Sequence, residues 1–420
     1  GVLPYGSTSC AGSEPAKGRI TLISLDDIEK ADSILHGQVL RTPLVYSPYF
    51  SEQVEGEVYL KLENLQKTGS FKLRGATNKI QTHLDRIGPR GVVAASAGNH
   101  AQGVALAARE AGIPATIVMP EWASITKQEA TRGYGGQVRL KGQSLTASIR
   151  EAEALVETGM TLIHPFDDPE VIAGQGTIAL EILNELPDPD LILVPVGGGG
   201  LIGGIATAVK SIRPQTRVVG VQAEACPSAY RSRELGESVR VEAERTIADG
   251  IAVKQPGELT FQIIQENVDE IVLVEEEQIA FAVLTLLERK NILAEGAGAV
   301  PAAALLDASA PIPKGGKVVL VISGGNVDTP LLDRILRQGL IRNGRMMKFG
   351  VILDDVPGSL AGLLTLVAEL QANVLQIYHH RSKENLPIYT SRVELELETR
   401  GWEHLNDITE ALQKAGYSIE

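Results

Sequence analysis

LILVPVGGGGL, residues 191–201, reads as a strand, a turn and the start of a helix in immediate succession. Leu191 to Val196 is a short apolar run of the kind that fills a buried strand. Gly197, Gly198, Gly199 and Gly200 then let the backbone come close to a ligand, so that several N–H groups converge on one anion. The helix beginning near Leu201 adds the positive end of its dipole. Neither the Gly-x-Gly-x-x-Gly dinucleotide spacing nor a loop ending in Gly-Lys-Ser/Thr is present here, so the stretch predicts a phosphate cup of another kind.

Similar units lie on both sides of it. Val92–Ala95, Ala115–Val118, Val218–Val221, Ile271–Val274 and Val318–Ile322 are further strand-like runs. Ala- and Leu-rich stretches such as His100–Ala111, Gly176–Leu186 and Glu276–Lys290 lie between them and read as helices. Strands alternating with helices predict an α/β fold, with parallel-type sheets covered by helices on both faces. The units outnumber those of one ordinary sheet, which predicts two lobes with a cleft between them. Ligands in such folds gather at the C-terminal ends of strands.

Two more loops begin where that rule looks for chemistry, and one further segment is a candidate beside them. Ser96-Ala97-Gly98-Asn99-His100 follows Val92–Ala95 and opens a helix, whose free N–H groups suit a carboxylate or phosphate. Ser323-Gly324-Gly325-Asn326 ends the run Lys317–Ile322; a hydroxyl at a strand tip can bond a ring nitrogen without carrying charge. Glu295-Gly296-Ala297-Gly298-Ala299 reads equally as cleft lining or as a helix start packed on the sheet. Upstream of all of them stands Lys72, in Lys67-Thr68-Gly69-Ser70-Phe71-Lys72-Leu73-Arg74-Gly75-Ala76. A lysine amine condenses with aldehydes, and burial moves it toward its neutral, nucleophilic form.

The chain has 420 residues, enough for two or three domains, with 44% hydrophobic and 22% charged residues. A net charge of −13 and the lack of a long basic run argue against nucleic acid or an anionic membrane as partner. With only Cys10 and Cys226, no disulfide framework is expected, and the seven His residues show no metal-ligand spacing, so no metal is expected. No uncharged run approaches ~18 apolar residues, so no transmembrane helix is expected. Residues 1–23 read as a flexible extension rather than a secretion signal, and a cytoplasmic location is expected. Arg337–Arg345 is basic with two glycines and reads within a linker over 336–346. Beyond it the pattern is βαββα with a short last strand: Met347–Leu353, Ser359–Leu370, Val374–His380, Ile388–Leu397, Glu403–Lys414 and Tyr417–Glu420. The second and third strands are joined near Lys383-Glu384-Asn385.

Taken together and in order, these segments resemble fold-type II pyridoxal-phosphate enzymes, specifically threonine/serine dehydratases (threonine ammonia-lyases), over roughly residues 24–335. The resemblance implies that pyridoxal 5'-phosphate is the cofactor and that Lys72 forms its Schiff base. It further implies that Phe71 lies beside the cofactor, that Asn99 contacts the ring hydroxyl, and that Gly197, Gly198, Gly199, Gly200 and the Leu201 amide hold the phosphate. Ser323 would face the pyridine nitrogen, and Ser96, Ala97, Gly98, Asn99 and His100 would bind the substrate carboxylate. A small lobe of roughly 62–165 would be inserted in the large lobe. Residues 347–420 resemble an ACT domain (βαββαβ), a family of amino-acid-sensing modules, with Asp354-Asp355-Val356-Pro357-Gly358 at its usual ligand and interface loop. Asp355, Pro357 and Gly358 are thus the regulatory candidates.

The implied reaction converts L-threonine to 2-oxobutanoate and ammonia, and L-serine to pyruvate. A link to isoleucine biosynthesis, a homo-oligomer (dimer or tetramer) and an amino-acid effector are implied with it. Two departures narrow the alternatives. Serine racemases resemble the chain but generally carry a second serine in the carboxylate loop, where this chain has Ala97. Racemase-like relatives also place carboxylates after the strand near 220, where this chain has Gln222, Cys226 and Ser228. A serine racemase/dehydratase, another hydroxy-amino-acid lyase and a catalytically silent amino-acid sensor remain as other readings.

Overall fold

The computed structural model describes residues 22–381 and 387–419. Its largest sheet has six strands: β1 (Leu44–Tyr46), β2 (Glu57–Leu62), β7 (Leu191–Pro195), β8 (Arg217–Ala223), β9 (Glu270–Val274) and β10 (Lys317–Ile322), in the order β1-β2-β10-β7-β8-β9. All neighbours are parallel except β1, which runs antiparallel to β2, so the sheet is mixed rather than wholly parallel. The second sheet is all parallel, with the order β5-β4-β3-β6: β3 (Val92–Ala95), β4 (Ala115–Met119), β5 (Gln137–Leu140) and β6 (Thr161–Leu162).

The central strands read as unbroken apolar runs because they are buried on both faces. In β10, Val318, Leu320 and Ile322 face a layer made from α2 (Pro48–Val54), α11 (Glu276–Lys290), α12 (Gly296–Leu306) and α13 (Thr329–Arg342). Val319 and Val321 face the opposite layer, made from α1 (Leu25–Leu35), α7 (Pro169–Glu185), α8 (Gly200–Ile212) and α10 (Glu258–Asn267). Helix α1 starts in a capping box, with Ser24 accepting from the Asp27 amide and Asp27 accepting from the Ser24 amide. The smaller sheet packs a core of its own with α3 (Lys72–Thr82) and α4 (Asn99–Glu110). Helices α5 (Ile125–Gly133) and α6 (Leu145–Val156) belong to the same lobe, and α9 (Ser228–Leu235) follows β8 in the larger one.

The third sheet is antiparallel, with β11 (Met346–Asp354), β12 (Asn373–His380) and β13 (Thr390–Glu398) in the order β11-β13-β12. Its Phe349, Val351, Val393 and Leu395 are buried together with Leu363, Val367, Ile408 and Leu412 of α14 (Ser359–Glu369) and α15 (Trp402–Lys414).

Three expectations change. The linker expected over 336–346 is helix as far as Arg342, and β11 starts at Met346. Ile335 and Gly339 are buried, and a Cβ on Gly339 would lie 3.0 Å from the Ala280 carbonyl and from Leu284 Cβ of α11. That glycine marks close helix packing, not a hinge. The last strand, expected from Tyr417, is a single bridge between Ile419 and Val351, and Glu420 lies outside the described residues. Residues 1–21 of the expected extension also lie outside them, as does the junction at Lys383–Asn385, whereas Leu22 and Ile23 pack on the large-lobe core.

Candidate active site

Most of the loops singled out in the sequence leave the C-terminal ends of β3, β7 and β10, and Lys72 opens α3 just beyond the end of β2. The segment before Lys72 is pinned to the β10 loop. Ser70 bridges Gly324, and the Phe71 amide donates to the Ser323 carbonyl at 3.1 Å. The Lys72 ammonium lies 5.2 Å from the Phe71 ring centre and donates to the Pro165 carbonyl at 2.7 Å. Burial lowers its pKa to about 8, against a smaller opposing pull from the Glu295 carboxylate.

Residues 197–201 form a cradle. A Cβ on Gly198 would lie 2.3 Å from the Phe166 ring, and Gly199 adopts φ +97, so side chains are excluded there by contact and by conformation. Helix α8 begins at Gly200, and its first-turn amides have no intrahelical partner. Among the described residues no acceptor is found for the amides of Gly197, Gly198 and Gly199. A ring of unpaired donors at a helix N-terminus fits a phosphate. Ser323 fits as well: the residue is buried at the strand tip, and no other described group takes its hydroxyl. The buried Ser70 hydroxyl likewise has no partner among the described residues. The cleft therefore offers an amine, an anion cup and buried spare hydroxyls, the donor set that a phosphorylated pyridine aldehyde needs.

The 96–100 loop divides its duties. Ser96 Oγ accepts from the Gly98 amide at 3.2 Å, Ala97 packs on the small-lobe core, and Gly98 is the N-cap of α4. His100 turns inward: its Nε2 donates to the Ile163 carbonyl at 2.8 Å, and burial together with the Lys72 charge lowers its pKa to about 3. Its ring is thus neutral and occupied, leaving its backbone as the part that can face an anion. Asn99 donates from Nδ2 to Glu295 Oε1 at 2.6 Å, while its Oδ1 accepts from Asn326 Nδ2 at 2.9 Å.

Glu295 and Asn326, named above only as members of glycine-rich segments, take definite places in the site, and His164, not singled out, joins them. Burial, reinforced by the Asp249 carboxylate, pushes Glu295 up to about 8, so it stays a neutral acid at neutral pH. Asn326 also donates to the Thr68 carbonyl at 2.7 Å, tying the β10 loop to the lysine segment. His164 Nδ1 accepts from the Asp167 amide at 2.7 Å, and burial lowers its pKa to about 4. For Glu295 the available signal was an acid immediately ahead of a glycine-rich helix start; a lone His164 carried none. The regulatory candidates lie in a different sheet. Asp355 is ion-paired to Arg381 at 3.1 Å, and Gly358 caps α14 with φ +97. Among the described residues no cluster of His, Cys, Asp and Glu could hold a metal ion, and no helix is long and apolar enough to cross a membrane.

Residues 35–324 match the family described as pyridoxal-phosphate dependent enzyme. An L-threonine ammonia-lyase of Thermotoga maritima is 52% identical over 399 residues, covering 95% of this chain and 99% of that protein. The crystal structure of T.th. threonine deaminase is 45% identical with a TM-score of 0.69, covering 73% of this chain and 99% of that one. A serine racemase from Dictyostelium discoideum is 39% identical with a TM-score of 0.69 over the same shares.

Proposed function

This chain belongs to the pyridoxal-phosphate-dependent enzyme family, and from that premise we propose that it is an L-threonine ammonia-lyase, a carbon–nitrogen lyase that also takes L-serine. The Cα–H and Cβ–O bonds of threonine break, water leaves, and hydrolysis of the resulting enamine gives 2-oxobutanoate and ammonia. When bound, pyridoxal phosphate supplies an aldehyde for the substrate amine and a ring that draws electrons from Cα. The observation that carries the reading is Lys72: a buried amine held at the head of α3 and lowered to about 8, beside a glycine cradle of unpaired amides and the buried Ser323.

The roles of the chain's own groups follow. Lys72 would hold the cofactor aldehyde, and its Nζ would be the group that takes the Cα proton of the substrate. The amides of Gly197–Leu201 would hold the phosphate, and those opening α4 at 96–100 would hold the substrate carboxylate. Asn99, fixed by Glu295 and Asn326, is set to hold the ring hydroxyl. Ser323 would face the pyridine nitrogen, and its hydroxyl is too weak an acid to protonate that nitrogen strongly. A racemase would need a proton donor on the opposite face of Cα, and the methyl of Ala97 has none to give.

The C-terminal module resembles an ACT domain, and it supports two finer readings: a homo-oligomer and an activity that responds to an amino acid. The edge strand β12 leaves Leu375, Ile377 and Tyr378 exposed, which supports assembly of copies. A cytoplasmic setting and a place in isoleucine formation belong to the same reading. The deciding experiment follows the visible absorbance of the purified protein and 2-oxobutanoate release on adding L-threonine. Lys72→Ala is expected to lose the cofactor-linkage band and turnover together; a variant retaining full turnover would overturn the assignment.

A further inference from the structure

A side-chain amide can face its neighbours in two ways, and in this cleft the choice settles whether a bound ring meets a donor or an acceptor. Asn99 stands between two partners. Its Nδ2 donates to Glu295 Oε1 at 2.6 Å, and its Oδ1 accepts from Asn326 Nδ2 at 2.9 Å. Glu295 does not fix that orientation. Burial keeps it a neutral acid, and a protonated carboxyl can either accept from an N–H or donate to an oxygen.

The orientation is set on the other side. Asn326 Nδ2 also donates to the carbonyl of buried Thr68 at 2.7 Å and reaches Gln102 Oε1 at 3.4 Å. The Thr68 carbonyl belongs to a peptide, so it accepts in every arrangement. Turning Asn326 over would set its Oδ1 against that carbonyl, oxygen to oxygen. Asn326 therefore presents its NH2 inward, and Asn99 answers with Oδ1. That leaves the Asn99 NH2 on the side of Glu295, with one hydrogen on the carboxyl and a second that no other described group takes. Close packing holds the relay in place. A Cβ on Gly69 would lie 2.4 Å from Asn326 Oδ1, and Gly69 has φ +73 with its carbonyl accepting from the Gly325 amide at 2.9 Å. The glycine that follows Thr68 is what lets Asn326 reach it.

We infer that Asn326 is a positioning residue: it passes the fixed polarity of the Thr68 carbonyl to Asn99, so that the ring hydroxyl of bound pyridoxal phosphate meets an N–H and is held in its ionised form. The inference rests on the role proposed for Asn99 and deepens it, since it names what makes that contact a donor. Thr68 lies four residues before Lys72, so one segment sets both the lysine and the polarity of the group across the ring from it.

The test is the ratio of visible to near-ultraviolet absorbance of the cofactor-loaded enzyme without substrate, which reports whether the ring hydroxyl is ionised. Asn326→Asp keeps the shape of the side chain, but a carboxylate has no hydrogen to give. Asn99 is then expected to turn its NH2 toward position 326 and its oxygen toward the ring. The ratio is expected to fall at least about threefold, within the range of one hydrogen bond. Asn326→Ala, which leaves Asn99 unheld, is expected to give a smaller fall, and it keeps the measurement open where the aspartate variant fails to fold. A role in shape alone reverses that order, with Asn326→Asp near wild type and Asn326→Ala lowest. Both substitutions are repeated on Asn99→Ala as double-mutant cycles. There they are expected to leave the ratio unchanged, because the amide through which they act is gone. Equal falls in both backgrounds would assign the effect to charge or packing at 326 and overturn the inference. No fall in the wild-type background, or the reversed order, would overturn it as well. Because the readout needs bound cofactor and not turnover, this failure is distinct from a failure to release 2-oxobutanoate.

Discussion

At Lys72 and Glu295 two buried groups of opposite type are drawn toward the same titration range. Burial favours the neutral form of each, and the charge of each favours the ionised form of the other. With its pKa near 8, about a tenth of the Lys72 side chain is the free amine at pH 7, far more than for an exposed lysine. The rate of aldehyde capture by the apoprotein is therefore expected to rise through pH 8, as the ammonium loses its proton. Glu295→Gln keeps an oxygen for the Asn99 amide but removes the only group that raises the Lys72 pKa. The inflection is expected to move to lower pH in that variant. An initial-rate profile of pyridoxal phosphate capture checks this, and an inflection that stays put or rises would show that the two groups are uncoupled. The carboxyl also affects stability. Its folded pKa lies above its unfolded value, so its contribution is complete below about 4.5 and is lost as pH rises through 8.

At the scale of elements, the position of Lys72 depends on what lies behind α3. Arg74 is fully buried and forks onto Glu63 at 2.8 and 2.9 Å and onto Glu181 at 2.7 and 3.0 Å. Lys61 of β2 reaches Glu181 at 2.6 Å, so two cations balance two carboxylates across β2, α3 and α7. Arg74→Met leaves two buried carboxylates facing one cation, and a destabilisation of about 3–5 kcal/mol is expected. Urea and thermal midpoints check the size, and a shift below ~1 kcal/mol would mean that the cluster relaxes. None of this network was legible in the sequence, because Arg74 and Glu181 are 107 positions apart. What was legible has local causes. The runs that became β3, β4 and β7 to β10 are apolar because both their faces are covered, and residues 197–200 are glycines because a ring and a helix start leave no room for Cβ. Charge and glycine content misled at 336–346, where Gly339 serves contact between α13 and α11. Glu295 was ambiguous because its meaning comes from Asn99 and Asp249, neither of them near in sequence.

Across the whole molecule, the two lobes meet over the cleft through charge as well as packing. Lys127, on α5 of the smaller lobe, lies 3.3 Å from Asp249 and 3.7 Å from Asp328 of the larger one. Burial opposes its charge, but the two carboxylates outweigh burial and raise its pKa. Glu295 and Asn326 line the same narrow gap, so the contact sits directly over the reacting groups. A lysine held between two lobes favours the arrangement in which both carboxylates are within reach, and that arrangement encloses the substrate. Lys127→Met is therefore expected to raise KM for L-threonine by up to about fivefold, the factor that roughly 1 kcal/mol commands for a part-exposed pair. Its thermal midpoint should change little, since the lobe cores are untouched. Salt separates this electrostatic role from simple packing. Charge pairs weaken as the Debye length shrinks from about 10 Å at 0.1 M to about 3 Å at 1 M, so the wild-type KM should rise over that range. The Lys127→Met KM should start high and respond less to salt. Equal salt slopes for the two proteins would assign closure to apolar contacts alone, and the lysine would then be a bystander at the mouth of the cleft.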